Sequence, residues 1–225
     1  MNYFALTKQE QVYVLTMKNG LDANRLDDEM LLQFHRYLDT VSNDSATNLA
    51  LVITADDEKA FSHGINLEFV QSRGASYLFD SFVPSLDALL TRLAWLDVPT
   101  VAAINGHAFG GGALIASACD FRTMRADRGF FCFPEVDLKL WLSPVMLECV
   151  NNLPNEAART MLALTGRKLG GEEAAALQIV DAAYPADSLL PNTLQLAAQL
   201  ASKDRTAYSK IKRGLRATRW AKFVA

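Results

Sequence analysis

Cysteine and histidine are scarce in this chain, with three of each among 225 residues. Cys119, Cys132 and Cys149 have no metal-type spacing, and an odd number cannot all pair. Each lies in an apolar stretch, so all three read as reduced core residues in the cytosol. His35, His63 and His107 have no metal-ligand partner at helical spacing, and no metal site is expected. Charge of one sign is also lacking. The formal net charge is -3, which excludes a broad basic face for nucleic acid or for a membrane surface. No apolar run is long enough to cross a bilayer. The first residues, "MNYFALTKQE", show no cationic segment leading into an apolar one, so no secretory signal is expected. The last residues, "KFVA", are not a peroxisomal tripeptide. A cytoplasmic protein is the default reading.

What is present suits a globular α/β chain, since half of the residues are apolar. "QVYVLTM" alternates and is rich in β-branched residues, which predicts a strand over Gln11–Met17. Leu26, Met30, Leu31, Phe34, Leu38 and Val41 recur at helical spacing. "LALVITA" (Leu49–Ala55) and "TVAAI" (Thr100–Ile104) read as buried strands. Leu78–Leu96 reads as a helix. "FRTM" and "GFFCF" read as short strands, and from Ser143 onward the chain reads as mostly helical. Alternation of this kind predicts an α/β core over residues 1–185 and a helical segment over 186–225. That segment belongs to the same domain and is expected to pack on the core or on a neighbouring subunit.

Glycine is concentrated where it is least expected. Gly110, Gly111 and Gly112 stand directly before "ALIASA", a good helix candidate, although glycine disfavours helix by about 1 kcal/mol relative to alanine. The first N–H groups of a helix have no internal partner and carry partial positive charge, so they can receive an anion. Glycine there permits close approach to the backbone. A turn that needs positive φ, or tight packing on a strand, explains the run equally well. A second strand-to-helix turn, "AFSHGINLEF", carries Gly64 between His63 and Ile65. Two such turns meeting at one point would supply two converging N–H donors, an oxyanion hole.

The stretches "ALVITADDEKAFSHGINL", "PTVAAINGHAFGGGALIASACDFR", "FPEVDLKL" and "GRKLGGEEAAALQIVD" together resemble the crotonase family, the enoyl-CoA hydratase/isomerase superfamily. The resemblance implies a crotonase (ClpP-like) α/β fold, a spiral of ββα units followed by a helical C-terminal region. It implies an acyl-CoA thioester substrate, with coenzyme A as part of that substrate and no permanently bound cofactor. It also implies a homotrimer or a dimer of trimers. Matched by motif, the thioester oxygen lies between the N–H groups of Ile65 and Gly111, flanked by Gly64, Gly110 and Gly112.

Two glutamates activate water in the family's hydratases. The position of the first is Leu114 here, and leucine cannot carry a proton. The second is Glu135, in "FCFPEVDLKL". One carboxylate suffices to move a double bond, so the pattern resembles the Δ3,Δ2-enoyl-CoA isomerases, above all the plant-type branch. A hydratase-like or thioesterase-like enzyme and a silent acyl-CoA-binding protein are the alternatives. Phe131, Phe133, Val136 and Leu138 are expected to give Glu135 an apolar setting that raises its pKa. Asp137 is the rival base, on the same strand face as Glu135, and Glu148 is a further carboxylate. Asp120 matches a structural position. His63 touches ligand or faces solvent, His107 lies in a turn, and His35 is exposed on its helix. Residues of Leu78–Leu86, with Trp141 and Leu142, are candidates for the acyl pocket, and Asn24 and Arg25 for contact with coenzyme A.

Overall fold

The computed structural model describes residues 2–224. The chain opens with a hairpin, β1 (Phe4–Gln9) and β2 (Val12–Met17). A helix, α1 (Asp28–Asn43), follows with its N-terminus capped by Asp27, whose side chain accepts from Met30 N. Three related passages come next. In the first, β3 (Ala50–Ala55) leads to β4 (Ala60–Ser62), then to α2 (Leu67–Ser72) and α3 (Val83–Ala94). In the second, β5 (Thr100–Ile104) leads to β6 (His107–Phe109) and α4 (Gly111–Ala118). In the third, β7 (Phe121–Arg125) leads to β8 (Phe131–Cys132) and α5 (Pro144–Asn151). The rest comprises α6 (Glu156–Thr165), α7 (Gly171–Ala176), β9 (Ala182–Tyr184), α8 (Ala186–Ala201) and α9 (Arg205–Trp220).

The first strand of each passage joins a six-stranded sheet in the order β1-β2-β3-β5-β7-β9. The second joins a three-stranded sheet in the order β4-β6-β8. Apart from the β1–β2 hairpin, every pairing between strands of the two sheets is parallel. This is the spiral of ββα units: each turn lays one strand in each sheet before its helical segment.

The large sheet is covered on both sides, as parallel strands require. Leu51 and Ile53 of β3 face the main core with Phe34, Leu89 and Ile104, while Ala50 and Val52 face α8 through Ala197 and Ala201. The C-terminal helices therefore complete the fold. From α9, Lys212 and Arg216 meet Asp120 at 2.9 and 3.0 Å, and Tyr208 donates to the same carboxylate. Asp120 also accepts from Thr100 N and so ties α9 to the sheet. Among the described residues, no helix is long and apolar enough to cross a membrane.

Four strands escape a reading by periodicity, β4 and β6 because each has only three residues. β1 is an edge strand with only Phe4 buried, so it carries little alternation. β9 is three half-buried residues inside a helical tail. His107 is not in a turn but begins β6, opposite Ala60. His35 is half-buried rather than exposed, beside Arg92; burial and then that guanidinium lower its pKa.

Candidate active site

The small sheet assembles the site. β4, β6 and β8 lie side by side, and each is followed within a few residues by one element of chemistry. After β4 come Gly64 and Ile65, after β6 come Gly110 and Gly111, and after β8 comes Glu135. Neighbouring strands in parallel register deliver their C-terminal ends to the same edge. Ile65 and Gly111, 46 residues apart in the chain, and Glu135, a further 24 residues on, therefore meet in space.

The two turns approach as closely as backbone can. Gly64 has φ +79°, and a Cβ there would lie 2.6 Å from Phe109 O and 2.8 Å from Gly111 N. A Cβ on Gly111 would come 3.6 Å from Ile65 N. Gly110, at φ +48° and ψ -116°, caps α4 in a conformation open to glycine. Among the described residues, neither Ile65 N–H nor Gly111 N–H donates to a protein acceptor. The two form a donor pair at the N-terminus of an eight-residue helix. Gly112 serves packing instead, since a Cβ there would meet Ser62 O at 2.4 Å.

The loop that carries Asn24 and Arg25 holds the first donor in place. Leu26 N donates to Gly64 O at 2.7 Å, and Asn66 N donates to Leu26 O at 2.9 Å. Ser62 Oγ donates to Asn24 O and accepts from Gly64 N. Asn24 is fully buried, with φ +51°. Its Oδ1 accepts from Asn19 N and its Nδ2 donates to Ala60 O. Its side-chain amide is thus spent on shaping the loop. Arg25 is half-exposed and paired with Asp22 and, at 3.5 Å, with Glu68.

Glu135 lies over the glycine run. A Cβ on Gly110 would stand 3.2 Å from its Oε1, and its Oε2 is buried with no hydrogen-bond partner. Burial pushes its carboxyl up to about 7, against a weaker opposing bond to its own backbone N–H. The apolar surroundings differ from those expected. Phe131 and Phe133 pack edge-to-face in the core, and Val136 is 45% exposed. Of the four, Leu138 alone lines the cavity, joined by Pro134, Leu140 and Met146. Glu135–Lys139 is a turn, not a strand, so Asp137 does not share a face with Glu135. Asp137 is exposed and packs beside Gly166. Glu148 is committed to Arg219 and Lys222.

Ile65, Gly110, Gly111, Leu114 and Glu135 line one cavity of about 90 Å³ with Leu78, Phe79, Val83 and Trp141. Leu142 is absent from that wall. His63 lines this cavity and also an adjoining groove with Gly20, Arg25 and Lys59. Its ring stands 5.6 Å from that of His107, and burial lowers the pKa of both. A roomier groove of about 600 Å³, lined by Asp87, Trp95 and Arg213, contains none of these residues. Among the described residues, no three His, Cys, Asp or Glu gather as metal ligands.

A carboxylate with one buried, unpartnered oxygen can take a proton from carbon beside a carbonyl, and the two free backbone N–H groups it faces can hold the resulting oxyanion. Comparison with known proteins places the chain in a family. The family described as Enoyl-CoA hydratase/isomerase matches residues 7–222. The chain is 34% identical over 220 residues to enoyl-CoA delta isomerase 3 of Arabidopsis thaliana, covering 93% of this chain and 90% of that one. It is 32% identical over 216 residues to carnitinyl-CoA dehydratase of Escherichia coli K12, covering 95% of this chain and 80% of that one. In fold it is similar to Pseudomonas aeruginosa DspI, with a TM-score of 0.87 at 24% identity, covering 97% of this chain and 82% of that one. The chain belongs to the enoyl-CoA hydratase/isomerase family, the crotonases, and within it is similar to the plant-type isomerases.

Proposed function

We propose that the protein is a Δ3,Δ2-enoyl-CoA isomerase in which Glu135 is the sole proton carrier. The observation that carries this reading is the pairing of Glu135 with Leu114. One buried carboxylate faces the donor pair, and the position where a hydratase of the family holds its other glutamate is an apolar side chain, 1% exposed. Water has no second carboxylate to orient it. The relatives named as delta isomerases support the same choice.

Ionised Glu135 takes a proton from C2 of a 3-enoyl-CoA. The electron pair spreads through the dienolate onto the thioester oxygen, where Ile65 N–H and Gly111 N–H receive it. The carboxylic acid then returns the proton to C4, leaving the 2-enoyl product and the ionised base. A carboxyl near 7 is suited to both halves, since it gives and takes with little driving force lost at neutral pH. The coenzyme A portion leaves by His63 into the groove of Arg25 and Lys59.

The test is spectrophotometric. 3-Hexenoyl-CoA should be isomerised with a kcat/KM at least about a hundredfold above that for hydration of crotonyl-CoA, the size of a lost acid–base group. Comparable values would refute the single-carboxylate reading.

A further inference from the structure

The proton transfer makes no use of two aromatic rings that line the same cavity. Phe79 and Trp141 stack face to face, 2° from parallel, with centroids 4.2 Å apart. Phe79 sits in the π-turn Leu78–Phe82 that opens α3, and such turns are rare and gather at functional sites. Trp141 lies in the irregular stretch between the Glu135–Lys139 turn and α5. The stack therefore joins two segments, one of them carrying Glu135.

The contact is poorly anchored on both sides. Trp141 is 63% exposed. Residues 71–76, before Phe79, are all exposed, and Gly74 has φ +118° with open space around it. The floor is the opposite case: Leu114 and Gly111 are buried in the core. The stack thus stands at the solvent side of the cavity, and the donor pair at its base. Between them the space is about 90 Å³, well below the roughly 300–1,000 Å³ of pockets that enclose a drug-sized ligand.

We infer that the Phe79–Trp141 stack is a gate on acyl chain length, an inference that rests on the isomerase reading of this cavity. With the rings together the cavity accepts a short acyl chain. A long chain is accommodated only when the rings part, and the stacking lost is charged against that substrate alone.

The experiment compares wild type with Trp141→Ala and Trp141→Phe on 3-hexenoyl-CoA and 3-decenoyl-CoA. Wild type should favour hexenoyl in kcat/KM. Trp141→Ala should shift the decenoyl-to-hexenoyl ratio by about tenfold toward decenoyl, the low end of selectivities set by added methylenes in apolar pockets. Trp141→Phe keeps a ring and should restore the wild-type ratio. A ratio unmoved by Trp141→Ala, in a protein that melts cooperatively, would overturn the gate. If Trp141→Ala fails to fold, Phe79→Leu removes the stack from the other side and is read the same way. If wild type isomerises neither substrate, the isomerase reading fails separately. The gate is then read from calorimetric Kd values for hexanoyl-CoA and decanoyl-CoA, where the same tenfold shift in ratio is expected and its absence is fatal.

Discussion

Replacing Glu135 by glutamine should remove activity and raise stability at alkaline pH, and the structure sets the size of the second effect. The carboxyl rises from 4.5 to about 7 because it is buried. At 1.36 kcal/mol per pH unit, that is about 3 kcal/mol against the ionised form. The folded value lies above the unfolded one. Between about pH 4.5 and 7 the unfolded chain gives up this proton while the folded chain keeps it, so wild-type stability falls across that window. Glutamine never ionises and escapes the fall. Its extra N–H donors find no ready acceptor where Glu135 Oε2 has no partner, which returns about 1 kcal/mol. The net gain at pH 8 is about 2 kcal/mol, or a Tm higher by about 4–8 °C for a chain of this size. Below pH 4.5 the advantage should vanish and leave the variant about 1 kcal/mol less stable than wild type. Melting curves at pH 4 and pH 8 measure it, beside turnover of 3-hexenoyl-CoA, which should drop by about 10² to 10⁴. A variant less stable than wild type at pH 8 would refute the buried, unpartnered carboxylate. A variant keeping more than about a tenth of turnover would refute its role as base.

In wild type, kcat/KM should fall as pH drops through about 7, because the ionised base is the reactive form; a flat profile from pH 5 to 8 would contradict this. Gly111→Pro removes one N–H donor and should cost about 10² to 10³ in kcat, with circular dichroism checking the fold; near-normal turnover would remove Gly111 from the hole. Asp137→Asn should leave turnover within about twofold of wild type, since loss of a general base costs at least about 10² and this carboxylate lies outside the cavity lining; a large loss would move the base. Asp120→Ala strands Lys212 and Arg216, both largely buried, and should lower stability by about 3–5 kcal/mol in chemical denaturation.

Much of this was legible in the sequence because it rests on local pattern. Thr100–Ile104 is a strand over the predicted residues, and α1 and α3 bury the residues their spacing marks. The buried state of Cys119, Cys132 and Cys149 follows from their apolar neighbours. Local pattern also locates the glycine-bearing turns, since a chain has few reasons to put Gly110–Gly112 before a helix. The motif resemblance marked Glu135 and the unreactive side chain at Leu114. It could not say that Asn24 turns inward, because a left-handed φ and two bonds to Asn19 and Ala60 depend on a loop that closes on a distant strand.

Tertiary structure alone decided what those residues do together. β4, β6 and β8 are three, three and two residues long, too short to show a period, yet their adjacency brings Ile65, Gly111 and Glu135 to one edge. Asp137 shares no face with Glu135 because Glu135–Lys139 turns instead of extending, which replaces the two-residue alternation of a strand. The pKa of Glu135 is a property of the cavity that surrounds it, not of "FPEVD". The Phe79–Trp141 stack joins residues 62 positions apart in segments with no shared pattern. Composition and periodicity report the solvent preference of each residue, which sets elements and core. Converging donors, a desolvated carboxyl and a stacked pair are relations between residues, and they arise only when the packed sheets fix the distances.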